Sequence, residues 1–179
     1  VPHIEIANDL PGISGLMVQR PDTAAPLNAI ANALLRGESP LSRGERELIA
    51  AYVSELNRTR FCSDSHSAFA AAQLEGGRDL VAAVLADPQS APISPLLRAL
   101  LRIAAEVQEL ARPVSDEAVA AARAQGAGDA EIHDTVLIAA AFCMFNRYVN
   151  GLATVLPDDA SHYTAVAERI VSRGYGSAR

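Results

Sequence analysis

From Pro26 onward the chain reads as a succession of segments with helical periodicity, punctuated by capping serines and stop glycines, and nowhere as a strand. The segments expected to be helical are 26–36, 42–57, 62–74, 78–86, 94–111, 115–125, 129–150 and 158–173. Ser42 and Glu45 stand at capping-box spacing, and Ser94-Pro95 sets a cap before a proline at the first helical position. Gly37, Gly76-Gly77, Gly126 and Gly151 are the expected stops. Residues 1–25 carry Pro2, Pro11, Gly12, Gly15 and Pro21 and read as an irregular arm lying over one helical domain, 26–179.

Composition agrees with helices and removes several function classes. Half the residues are apolar but only 4% are aromatic, so alanine and leucine must build the core, which favours close-packed helices. A net charge of −6 gives no general attraction to nucleic acid or to anionic membranes. All 15 basic side chains are Arg, which excludes lysine Schiff-base chemistry. Two cysteines do not make a disulfide framework, and no apolar run is long enough for a membrane span. Val1-Pro2-His3 opens no signal-peptide pattern, so a cytoplasmic location is expected. No His or Cys spacing matches a structural zinc site, and no cofactor is expected. His3, His133 and His162 carry no assigned role.

The chemistry concentrates between Glu47 and His66. Ile49, Tyr52, Val53 and Leu56 form an apolar stripe at helical spacing. Glu47, Ala50, Ala51 and Ser54 form the opposite one. Three small residues beside a carboxylate allow another helix to come close, so Glu47 is placed to act as a base inside a helix contact. A surface Glu supporting its helix is the plainer alternative. Cys62 and His66, four apart, share a helix face continued by Phe69, Ala70 and Gln73, and Cys62 falls near a helix N-terminus, where thiolate is favoured. A buried structural cysteine and a hydrogen-bonded histidine fit the same spacing.

The segment from Glu47 to His66, with Asn146-Arg147 far along the chain, resembles the AhpD-like alkyl hydroperoxidases, which belong with the carboxymuconolactone decarboxylases. The resemblance covers about 25–160 and implies an all-α AhpD-like domain that forms homo-oligomers, here a dimer or an assembly of dimers. It implies that Cys62 attacks a hydroperoxide while Glu47 and His66 relay its proton. The family's peroxidase branch carries a Cys-x-x-Cys, whose first cysteine resolves the sulfenic acid. Thr59 occupies that position here. Cys62 then works with an external thiol reductant, or with Cys143, or the site has lost its activity. Cys143 lies among Ala139, Ala140, Ala141, Phe142 and Phe145 and reads as a small core residue. A decarboxylase acting on a small lactone acid is the alternative enzyme, with Arg58, Arg60 or Arg147 expected to bind the substrate carboxylate. A catalytically silent helical scaffold is the third reading. Arg147 is also a candidate partner for Glu47.

Overall fold

Ser42 builds the capping box its spacing announced: its side chain accepts from the Glu45 amide, and the Glu45 carboxylate accepts from the Ser42 amide. It opens one of nine helices that a computed structural model places among residues 1–176, the residues it describes. They are α1 (Gly12–Gln19), α2 (Pro21–Arg36), α3 (Arg43–Leu56), α4 (Arg60–Ala71), α5 (Gly77–Ala86), α6 (Pro95–Glu109), α7 (Asp116–Ala124), α8 (Asp129–Gly151) and α9 (Ser161–Arg173). No strand occurs among the described residues. The last three residues of the expected domain, 177–179, lie outside them.

Helix α3 sits at the centre. It packs most extensively on α4 and also on α6 and α8. Its small stripe makes this possible: Ala50, Ala51 and Ser54 are fully buried, and Glu47 is 1% exposed. The opposite stripe is buried too through Ile49 and Val53, while Tyr52 is half-buried and its end, Leu56, is exposed. The amphipathic α6 turns Leu97, Leu100, Leu101, Ile103 and Ala104 inward, against Ile138, Ala139 and Phe142 of α8. Fully burying each large side chain of this set contributes about 1.5–3 kcal/mol.

The turn between α3 and α4 sets the site. Arg58 adopts a left-handed conformation (φ 53°), the Arg58 amide donates to the Glu55 carbonyl, and the Thr59 amide donates to the Ser54 carbonyl. That pair of bonds is a Schellman stop, with arginine where glycine is usual. It reverses the chain within three residues and sends α4 back along α3.

Several boundaries differ from the sequence expectation: α4 spans Arg60–Ala71 instead of 62–74, α9 begins at Ser161 instead of 158, and the arm differs most. The arm at 1–25 is not irregular throughout: 12–19 are helical, and α2 begins at Pro21 instead of Pro26. Side chains tie the arm down. Asn8 bonds the Gly15 carbonyl and the Leu10 amide, Gln19 bonds the Ala7 amide and the Glu5 carbonyl, and the Gly12 amide reaches the Val155 carbonyl. Pro26 is tolerated inside α2 because its missing N–H removes a single helical bond in the second turn. Helix α8 does end at Gly151, but its left-handed closing residue lies two positions further on. The helix ends in a second Schellman arrangement with Ala153 left-handed (φ 49°), closed by Ala153 and Thr154 amides on Asn150 and Val149 carbonyls.

Candidate active site

Helix α4 begins at Arg60, which makes Cys62 its third residue and puts His66 one turn further on the same face. Both are buried, Cys62 at 4% and His66 at 8% exposure. His66 Nδ1 lies 2.6 Å from Glu47 Oε2, so the buried carboxylate of α3 meets the imidazole of α4. With Glu47 accepting, Nδ1 carries the proton, and Nε2 is the ring nitrogen left to serve as a base. The imidazole is wedged edge-on between Phe69 (5.1 Å between centroids) and Phe142 (4.5 Å). Those contacts fix its plane.

A residue that sequence reasoning passed over completes the cluster. The Tyr175 hydroxyl donates to Glu47 Oε1 at 2.6 Å and lies 3.5 Å from His66 Nδ1. The residue as a whole is half-buried, but burial of its hydroxyl, then the Glu47 charge and hydrogen bond, push its pKa well above 10, so it stays a donor. Asn32 of α2 holds Tyr175 in place: its carboxamide donates to the Tyr175 carbonyl at 2.8 Å and accepts from the Tyr175 amide at 2.9 Å. The one sequence signal was a tyrosine between Gly174 and Gly176 after the last helix; nothing in its spacing pointed to Glu47.

Cys62, His66 and Tyr175 line a cavity of about 60 Å³. Its other walls are Ile13 and Met17 of α1, Asn28 and Ala31 of α2, Phe61 of α4, and Phe142 and Phe145 of α8. Burial pushes the Cys62 thiol up to about 12, against the pull of a hydrogen bond from the Asn146 side chain. This corrects the sequence expectation of a thiolate at the helix N-terminus. The helix starts two residues before the expected Cys62, and burial, the largest influence on the thiol, favours its neutral form.

A carboxamide network backs the thiol. Asn146 donates to the Ser54 hydroxyl at 3.0 Å and accepts from Asn57 at 2.9 Å, and Asn57 accepts from Gln108 at 3.0 Å. Thr59 is 1% exposed and accepts from Asn150 at 2.9 Å. Cys143 is half-buried against the main core, with the Asn57 carboxamide 3.7 Å from its sulfur. Both cysteines are free.

The arginines named in the sequence are elsewhere. Arg58, Arg60 and Arg147 are exposed, and none lines the cavity. Arg60 pairs with Asp64, and Arg147 donates to the Cys143 carbonyl, so Arg147 is not the partner of Glu47. Among the described residues no group of three or more His, Cys, Asp or Glu side chains is placed to hold a metal, and no helix is long and apolar enough to cross a membrane.

Comparison with known proteins agrees with this architecture. Residues 21–106 match the carboxymuconolactone decarboxylase family. An uncharacterized peroxidase-related protein from Ralstonia eutropha, described as an alkylhydroperoxidase AhpD core, is 26% identical, with a TM-score of 0.77 over 90% of this chain and 83% of its own. An uncharacterized peroxidase-related protein from a Silicibacter species is 27% identical, with a TM-score of 0.76 over 86% of this chain and 78% of its own. A protein of unknown function from Agrobacterium tumefaciens shares the fold at 22% identity, with a TM-score of 0.68 over 80% of this chain and 97% of its own. No curated protein matches the sequence significantly. The fold is that of the AhpD core.

Proposed function

We propose that this AhpD-like chain, with its carboxymuconolactone decarboxylase family segment at 21–106, is a one-cysteine peroxidase. It reduces hydroperoxides through Cys62, with Glu47 and His66 moving the proton. One observation carries the reading: Cys62 and His66 line the same cavity, and Glu47 engages Nδ1 of that imidazole at 2.6 Å.

The neutral thiol makes the relay necessary. A thiol held near 12 is a poor nucleophile at neutral pH, so its proton must leave as the attack begins. His66 Nε2 takes that proton while Glu47 holds Nδ1–H and stabilises the imidazolium. The sulfur attacks the terminal peroxide oxygen, an S–O bond forms and the O–O bond breaks. His66 returns the proton to the departing hydroxide or alkoxide. Cys62 leaves as sulfenic acid and the peroxide as water or an alcohol. Asn146, bonded to the sulfur, favours the charge that develops there. Thr59 supplies no second thiol, so an external thiol condenses with the sulfenic acid, releasing water, and a second thiol restores Cys62. A cytoplasm that keeps such thiols reduced suits this cycle.

The decarboxylase alternative draws less support, because the cavity walls include no Arg to receive a substrate carboxylate. Self-association belongs to the same proposal. Leu137 and Met144, each 43% exposed, lie two turns apart on α8 and are the face we assign to a second copy.

The test is intact mass of the wild type and Cys62→Ser after brief exposure to stoichiometric peroxide with dimedone. A rapid adduct that needs Cys62 is expected. No mass change over minutes would sink the peroxidase reading.

A further inference from the structure

The peroxidase reading requires a peroxide to reach the Cys62 sulfur, and the cavity that would receive it is small. At about 60 Å³ it is less than half the size of an apolar cavity of about 150 Å³ that admits benzene. Hydrogen peroxide fits that space. An organic hydroperoxide with a branched or aromatic carbon group does not, unless a wall moves.

The walls differ in how they are held. Ile13, Met17, Asn28, Ala31, Phe61, Phe142 and Phe145 all project from helices. Tyr175 is carried by the non-helical chain after α9. Gly174 (φ +86°) and Gly176 (φ +74°) flank it with left-handed backbone that side chains rarely adopt. A Cβ at Gly174 would stand 2.7 Å from Asn32 Oδ1, so glycine is required for the chain to lie on α2 here. Arg36 secures the approach by donating to the Ile170 and Val171 carbonyls at the end of α9. A clamp of four hydrogen bonds, two from Asn32 and two from Arg36, therefore seats one aromatic ring. That ring stacks 6.2 Å from His66 at an interplanar angle of 21° and meets Phe69 edge-on at 6.3 Å.

We propose that Tyr175 is a positioning and size-selecting residue of this site: its hydroxyl orients Glu47 for His66, and its ring closes the cavity so that hydrogen peroxide is accepted over bulky organic hydroperoxides. The inference rests on the peroxidase reading. The two roles separate chemically. The hydroxyl occupies Glu47 Oε1 and so directs Oε2 to the imidazole. The ring occupies volume. Tyr175→Phe removes the first role and keeps the second; Tyr175→Ala removes both. Asn32→Ala releases the clamp and leaves every group at the cavity chemically intact.

The experiment measures the rate of Cys62 sulfenic acid formation with hydrogen peroxide and with cumene hydroperoxide, as a function of pH, in the full chain. The wild type is expected to prefer hydrogen peroxide by about tenfold or more. Tyr175→Phe should keep that preference, lose about tenfold in rate with both peroxides and shift the pH profile. Tyr175→Ala and Asn32→Ala should each narrow the preference severalfold. Unchanged preference in both of the last two variants, or a wild-type rate and pH profile in Tyr175→Phe, would overturn this inference and leave the peroxidase standing. Absence of sulfenic acid in the wild type with both peroxides would overturn the peroxidase reading, and this inference with it.

Discussion

The Tyr175 hydroxyl and the Glu47 carboxylate meet at 2.6 Å although 128 positions separate them in the chain. The contact draws the C-terminal segment into the contact between α3 and α4, and it leaves both oxygens of Glu47 occupied: one by Tyr175, the other by His66. A carboxylate in that state is fixed in rotation. It can hold the imidazole in one tautomer without competing for the thiol itself.

Glu47→Gln is expected to lower the rate of Cys62 oxidation by roughly 100-fold or more while the helical content stays unchanged. An amide presents one acceptor where the carboxylate presents two, so either Tyr175 or His66 loses its partner. The change should also cost about 1–3 kcal/mol of stability for the buried group left unsatisfied. Stopped-flow kinetics with circular dichroism and denaturant unfolding checks both. A wild-type oxidation rate in Glu47→Gln would remove Glu47 from the relay.

Alkylation of Cys62 by iodoacetamide should be slow at neutral pH and still rising above pH 9, because burial holds the thiol up to about 12. A thiolate of depressed pKa would plateau below pH 8. Stability carries the same sign. The folded thiol titrates above the unfolded one, so its contribution is complete below the unfolded value near 9 and is lost as pH rises towards 12. Tyr175, also raised, adds to that alkaline loss. Cys62→Ala should therefore lose less stability between pH 8.5 and 11 than the wild type, measured by urea unfolding.

Thr59→Cys puts a second thiol at the cap of α4, one turn before Cys62. Peroxide should then yield an internal disulfide between the introduced thiol and Cys62, seen as a loss of two protons in mass and of the dimedone adduct. The substitution removes the oxygen that accepts from Asn150 and should cost about 1 kcal/mol. Persistence of the dimedone adduct in this variant would mean that the two positions cannot reach each other.

Gly12→Ala should destabilise the protein by about 2–3 kcal/mol and alter Cys62 reactivity together with it. Gly12 is left-handed (φ +56°), and a Cβ there would run into the Phe61 ring, which adjoins Cys62 and lines its cavity. Calorimetry on the variant, with the alkylation assay, reads both effects. Gly15→Ala is the control for loss of α1 without the Phe61 clash, since its Cβ would meet the Leu10 carbonyl instead.

Most helices were legible because their signals are local. Ser42, Ser94 and Ser115 each cap the helix they precede, and Gly126 closes α7 with its left-handed backbone. The small stripe of α3 forecast its burial because packing at close range demands small side chains at helical spacing. The arm was read as irregular because its helix depends on side chains reaching across 7 to 14 positions, from Asn8 and Gln19, which no local pattern records.

The sequence by itself determined that Cys62 and His66 share one face of a helix, since four residues make one turn, and that Glu47 lies among small residues on another. Only the tertiary structure decided that these faces meet, that burial raises the Cys62 thiol, and that Tyr175 arrives from the far end of the chain to complete the cluster. Those outcomes depend on distances between segments and on the water excluded between them, which helical periodicity cannot encode.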